Sequence, residues 1–300
     1  MSSVRLSLLL LLQLAGTASH SICSHRPPLG AHGAAKTGWG YIGSKVCAHC
    51  HAAISQSFAK TAMGRSMSEV TPSLLSQLPL PATMFDSGLN RHFSVFVKRG
   101  QLYQSEWETG ADGKDVFRDI EPVRWIIGTG ANAFGGIIQR GERLFEAPLT
   151  FYSKTGTWAL SPGYERVDRG FSRPIDGPCL YCHSARPNPE AGSAGRFRTP
   201  PFDELAIGCE TCHGPGARHV GEMSAGGAKT RSEIVNPVKL APWLADNICM
   251  LCHQNGDARV LQPGRSYRDF RPGQPLDHTL AILMVPFTRE APPSSDHIQH

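Results

Sequence analysis

One five-residue pattern recurs four times along the chain: two cysteines separated by two residues, then a histidine. The copies are Cys47-Ala48-His49-Cys50-His51, Cys179-Leu180-Tyr181-Cys182-His183, Cys209-Glu210-Thr211-Cys212-His213 and Cys249-Met250-Leu251-Cys252-His253. They use all but one of the 9 cysteines, in a chain of 300 residues with 13 histidines. Residue frequencies alone predict about 0.01 copies in such a chain. The spacing has a stereochemical reading. Residues i and i+3 of a helical turn share a face, so two thiols there reach the two vinyl groups on one edge of a porphyrin and form thioethers. The residue at i+4 stays on that face, and its imidazole swings beneath the ring to bind iron. This is the c-type haem attachment pattern. It assigns Cys47, Cys50, Cys179, Cys182, Cys209, Cys212, Cys249 and Cys252 to covalent attachment, and His51, His183, His213 and His253 to the iron.

Zinc is the competing reading, because two C-x-x-C pairs can form a four-thiolate site. The pairs Cys209/Cys212 and Cys249/Cys252 are 36 residues apart, wider than the common ribbon spacing. Zinc also gives no reason for a histidine after every pair. A thioredoxin-like redox site needs a single C-x-x-C.

Residues 1–18 read as a secretory signal. Arg5 is the lone charge, Leu6 to Leu14 is a short apolar run, and Gly16, Thr17 and Ala18 supply small residues for cleavage. A retained anchor and a lipid-modified Cys23 are the alternatives, although bulky Ile22 precedes Cys23. The expectation is an exported protein, in the periplasm or on the extracellular side of a bacterial cell, with no membrane span after signal removal. Export would normally commit cysteines to disulfides; the four repeated motifs give them another fate. Net charge is +5 with no block of Lys or Arg, which excludes nucleic acid as the default partner.

Gly (31) and Pro (23) are abundant, favouring loops over long helices. After the signal, residues 19–40 read as a flexible leader, and 41–75 hold the first site and a helix near 52–60. Residues 76–178 are β-rich. His92–Val97, a turn at Lys98–Gln101 and Leu102–Ser105 form a hairpin, and Gly136–Ile138, Leu144–Phe145 and Leu149–Tyr152 add short strands. Residues 179–285 carry three sites, with 184–200 and 214–230 read as loops around the rings, and 286–300 form a tail. Intervals this short leave little room for an ordinary core, so the porphyrins themselves are expected to supply it. No tandem helical repeat of fixed period is visible.

The sixth coordination position decides whether a haem only passes electrons or also binds ligands. His219 follows His213 by a tight Gly-Pro-Gly turn and is the foremost distal candidate. His92 at a strand start, His278 and Met63 are the others, each with a packing or surface reading beside it. His20, His25, His32, His297 and His300 read as solvated.

Several segments around the sites carry a family likeness: Tyr41-Ile42-Gly43-Ser44, Thr61-Ala62-Met63-Gly64-Arg65-Ser66-Met67, Ser161-Pro162-Gly163-Tyr164, Cys212-His213-Gly214-Pro215-Gly216-Ala217-Arg218-His219 and Ile234-Val235-Asn236-Pro237. Over roughly residues 41–275 the chain resembles the tetrahaem cytochrome c-554-like (cytochrome c-552/4) modules that form the haem-bearing part of exported bacterial proteins. The resemblance implies a multihaem cytochrome c of α+β class with low regular content: short haem-binding helices and loops around four covalently attached c-type haems, plus a β-rich insert between sites 1 and 2. It also implies electron transfer, and that the residue matching His219 serves a neighbouring haem. Expected partners are redox proteins, either other cytochromes or membrane quinol-linked complexes. Ile127–Ala133 lacks a histidine that similar sequences carry. That keeps open a second function, an oxidoreductase acting on a small nitrogen or sulfur species at one open haem. A haem-based sensor or surface scaffold is a third, without a visible signalling module.

Overall fold

A computed structural model describes residues 40–175, 177–226, 234–254 and 256–284. The expected signal, most of the leader and the tail lie outside these residues, as do Cys23 and the five histidines of the leader and tail. The chain opens with two short helices, α1 (Ser44–Ala48) and α2 (Ala52–Phe58). Then follow strand β1 (Met67–Glu69) and helix α3 (Pro72–Leu75). Thr71 caps α3, its hydroxyl accepting from Leu74 N at 3.2 Å.

The β-rich region is two antiparallel sheets. One has four strands in sequential order: β2 (Ala82–Asp86), β3 (Arg91–Lys98), β4 (Gln101–Thr109) and β5 (Asp115–Pro122). The expected hairpin is β3–β4. Arg99 and Gly100 both have positive φ, 52° and 77°, which is the two-residue turn whose twist suits a tight hairpin. The other sheet has the order β1, β6 (Trp125–Ile127), β7 (Ala133–Arg140), β8 (Arg143–Tyr152) and β9 (Thr157–Leu160). The two runs Leu144–Phe145 and Leu149–Tyr152 are thus one strand. Pro148 interrupts the apolar pattern without breaking the strand, because its carbonyl still accepts from Ser161 N at 2.8 Å.

Alternation along β3 buries Phe93 and Val95, and Leu102 joins them from β4. Facing them from the five-stranded sheet are Ile138, Ala147 and Leu149, so the sheets close as a sandwich. A buried glutamine ties the layers together. Gln104 Nε2 donates to Leu149 O at 2.8 Å, and Leu149 N donates to Gln104 Oε1 at 2.9 Å. One side chain thereby imitates a strand neighbour, which is why a polar group is tolerated in this core.

The opposite face of the five-stranded sheet is covered too. Met67, Ile137 and Leu144 pack against Leu180 of α4 (Gly177–His183), with Phe197 and Phe202. The last two belong to a hairpin of β10 (Arg186–Pro189) and β11 (Phe197–Glu204). Sheet and second haem motif therefore share one apolar layer. Ser66, just before β1, donates to His183 O at 2.8 Å, closing the two ends of the β-rich region on each other.

The remaining elements are α5 (Cys209–His213), α6 (Ala217–Ser224), α7 (Pro242–His253) and a final hairpin of β12 (Ala258–Leu261) and β13 (Leu280–Leu283). Three expectations change here. Residues 184–200 are largely the β10–β11 hairpin rather than a loop, because Phe197 and Phe202 supply an apolar side that the Pro-rich composition conceals. Residues 217–224, expected as loop, are helix α6; only Gly214–Gly216 form the turn. A small aliphatic core also exists beside the fourth motif, made of Ile248, Leu251, Phe270, Leu276 and Leu280.

At the sandwich edge Glu106 is 2% exposed beside Arg91, Glu108, Asp168 and Asp119. Burial, with Asp168 adding, pushes its carboxyl from 4.5 up to about 7. The unfolded carboxyl deprotonates first as pH rises, so the stabilising contribution is complete below about 4.5 and is lost progressively up to about 7. Stability from this group is expected to fall by on the order of 3 kcal/mol between pH 4 and 8. Urea titrations at several pH values measure it. Glu106→Gln should flatten that slope relative to wild type.

Candidate haem-attachment sites

Each C-x-x-C-H stretch is a helical turn, as thioether chemistry on one ring edge requires. The first spans the end of α1, where His51 N donates to Cys47 O at 3.0 Å, and His51 then begins α2. The second closes α4, the third is the whole of α5, and the fourth is the last turn of α7. Gly214 stops α5 with φ 75°, a left-handed conformation suited to glycine, and so aims the following segment back over the site.

The motifs meet through their helices. α1, which opens the first, packs against α5, which is the third. α4, which holds the second, packs against α7, which holds the fourth. Cys212 of the third lies against the apolar cluster that includes Ile248 and Leu251 of α7. The sites thus run first, third, fourth, second. As thiols these groups are strongly perturbed. Burial, followed by Cys209 and Glu210, pushes Cys47 up to about 12. The hydrogen bond with Cys252, helped by Arg259, lowers Cys182. None of the eight motif cysteines is in a disulfide. Among the described residues, no group of three or more His, Cys, Asp or Glu side chains converges as ligands for a bare metal ion, so no tetrahedron of four thiolates is assembled there.

The histidines add two observations that fit haem. His213 Nδ1 lies 2.7 Å from Val235 O. A ring nitrogen that close to a carbonyl carries the proton, which leaves Nε2 as the lone-pair donor for iron. The ring centres of His51 and His219 are 6.4 Å apart, with planes 18° apart. The two rings belong to the first motif and to α6, so the arm carrying His219 reaches the first site.

The other distal candidates lie elsewhere. His92 is stacked between Phe85 and Trp107, with ring centres at 4.6 and 5.1 Å, on the outer face of the four-stranded sheet. Arg118 continues the row, 4.1 Å above Trp107. His278 lines a cleft of about 460 Å³ with Trp243, Asn247, Met250 and Gln254. Trp243, Asn247 and Met250 occupy a face of α7 roughly a third of a turn from Cys249, Cys252 and His253, and Gln254 follows the helix. Met63 is 45% exposed in a short 3-10 turn.

Several residues that organise the sites carry no motif signal. Ser66 bonds His183 O and also accepts from Ile207 N at 3.0 Å, joining the second site to the approach of the third. Ser44 Oγ accepts from Cys209 N at 2.8 Å, and Glu204 Oε1 accepts from Ser44 N at 3.1 Å. Glu210, between the two cysteines of the third motif, is 3% exposed. Its carboxylate receives the amides of Ile42, Gly43 and Gly216. An acid inside a motif was the available clue, but its partners lie up to 168 residues away.

Among the described residues, no helix is long and apolar enough to cross a membrane. No family model matches the chain, and no curated protein matches it. Among solved structures the chain is similar to the outer cell wall cytochrome OcwA, at 17% identity and a TM-score of 0.49. That likeness covers 81% of this chain and 45% of the other, so this chain spans less than half the length of OcwA.

Proposed function

We propose that this chain is an exported tetrahaem c-type cytochrome of the c-554-like kind, passing electrons through closely spaced, covalently held haems. The observation that carries the reading is the packing of all four C-x-x-C-H turns on one another, α1 on α5 and α4 on α7, with Cys212 of α5 against the cluster around α7, in the order first, third, fourth, second. When bound, four haems supply iron centres that each take up and release one electron without substrate chemistry. The chain's own part is binding and orientation. Cys47, Cys50, Cys179, Cys182, Cys209, Cys212, Cys249 and Cys252 would hold the haems covalently; His51, His183, His213 and His253 would supply an imidazole to each iron. The Val235 carbonyl sets the tautomer of His213. His219, whose ring lies 6.4 Å from that of His51, would be a second ligand for the first haem and would then close that site against small molecules. A closed site favours a carrier over a substrate-converting enzyme there. Its partners are then other redox proteins, cytochromes or membrane quinol-linked complexes, reached on the exported side of the membrane.

Mass spectrometry of the exported protein tests this directly. The expected mass exceeds that of the processed chain by four haems that survive denaturation. In paramagnetic resonance, His219→Ala should move one iron of the four from low to high spin. A protein without covalent haem, or one binding zinc through the same thiols, would overturn the reading. Steady turnover of nitrite or hydroxylamine would instead favour an open-haem oxidoreductase.

A further inference from the structure

We propose that Glu210 is a positioning residue: its carboxylate holds the approach to the first motif and the arm bearing His219 in fixed register on the third motif. This role rests on the haem reading above. The side chain is 3% exposed, and a buried carboxylate is tolerated only when its oxygens are satisfied. Here backbone amides from two distant segments do so. Ile42 N lies 3.0 and 3.1 Å from the two oxygens, and Gly43 N lies 2.7 Å from Oε2. Gly216 N lies 2.7 Å from Oε1. The first pair immediately precedes α1, which carries Cys47 and leads to His51. Gly216 immediately precedes α6, whose third residue is His219.

One carboxylate therefore sits at the root of both imidazoles whose rings lie 6.4 Å apart. The backbone is shaped to let the amides approach. Gly43 has φ 84°, a conformation other residues rarely adopt. A Cβ on Gly216 would stand 3.2 Å from Ile42 Cδ1 and 3.3 Å from Glu210 Oε1, tighter than ordinary contact. Ala217 N, donating to Gly40 O at 3.0 Å, makes a second stitch between the same two segments. Without Glu210 that stitch remains, so the arm should loosen rather than detach. The sensitive quantity is then the His51–His219 register, not the presence of haem.

The test compares wild type, Glu210→Ala, Glu210→Gln and His219→Ala as exported holoproteins. Haem number is read by mass, iron spin state by paramagnetic resonance, and amide exchange by deuterium labelling. Glu210→Ala should keep four haems but reproduce the high-spin signal of His219→Ala. The amides of Ile42, Gly43 and Gly216 should exchange at least about tenfold faster, the loss expected for hydrogen bonds to a carboxylate. Glu210→Gln keeps one carbonyl acceptor and should lie between wild type and Glu210→Ala; it carries the same comparison if the alanine variant does not fold. Low-spin spectra and unchanged exchange in both Glu210 variants, with His219→Ala altered, would overturn the positioning role alone. A His219→Ala spectrum identical to wild type would remove the trans-ligand assignment, and this role with it. Absence of covalent haem in the wild type would overturn the functional reading, while the exchange rates would still report whether Glu210 clamps the two segments.

Discussion

An exported Cys209→Ala/Cys212→Ala double variant should carry three covalent haems and conduct poorly from one end of the molecule to the other. The third motif is the interior member of the line: α5 packs on α1, and its Cys212 lies against the cluster that includes Ile248 and Leu251 of α7. Removing it leaves the first site without its neighbour. The matching Cys179→Ala/Cys182→Ala variant removes an end member, and the other three sites stay contiguous. Both variants lose one haem by mass. Stopped-flow reduction separates them: the third-site variant should leave one haem reduced at least about tenfold more slowly than the rest, whereas the second-site variant should keep uniform kinetics among its remaining haems. Equal kinetics in the two variants would contradict the order of sites.

The second large effect concerns the sandwich. Phe93 is fully buried between the sheets, in a cluster with Val95, Leu102, Ile138 and Leu149. Phe93→Ala removes most of a side chain that has no means of reaching solvent, so a cavity remains. The expected loss is about 3–5 kcal/mol, read from denaturant midpoints followed by tryptophan fluorescence. Haem number should not change, because the four attachment turns lie outside this cluster. Loss of haem in the variant would mean that the sandwich must fold before attachment takes place.

Local chemistry was legible from the residues, and pairing across distance was not. The four motifs announce helical turns by spacing alone, and all four stretches are helical turns. The β3–β4 hairpin was readable because alternation and an Arg-Gly turn coincide. The α6 helix was hidden by its Gly-Pro-Gly entrance, which reads as loop although the helix starts directly after it. The β10–β11 hairpin was hidden by prolines at positions where the ladder needs few amides. At the sites, the sequence places His92 near a strand start, and its ring neighbours across the sheet are Phe85 and Trp107. Strand register decides that, and a single sequence does not supply it. Glu210 shows the same limit from the other side: its type and position were visible, but the amides it gathers come from residues 42, 43 and 216.

The hydrogen bond from Ser66 to His183 has a wider implication. The long excursion between the first two motifs leaves and re-enters at nearly one point, so its length is invisible to the sites on either side. Closing so large a loop costs little more than closing a small one, since the penalty grows only with the logarithm of length. That junction is a natural socket. Another compact module with adjacent termini, grafted between Ser66 and the start of α4 with an apolar patch to meet Leu180, would leave the four C-x-x-C-H turns in place while giving them a different exterior.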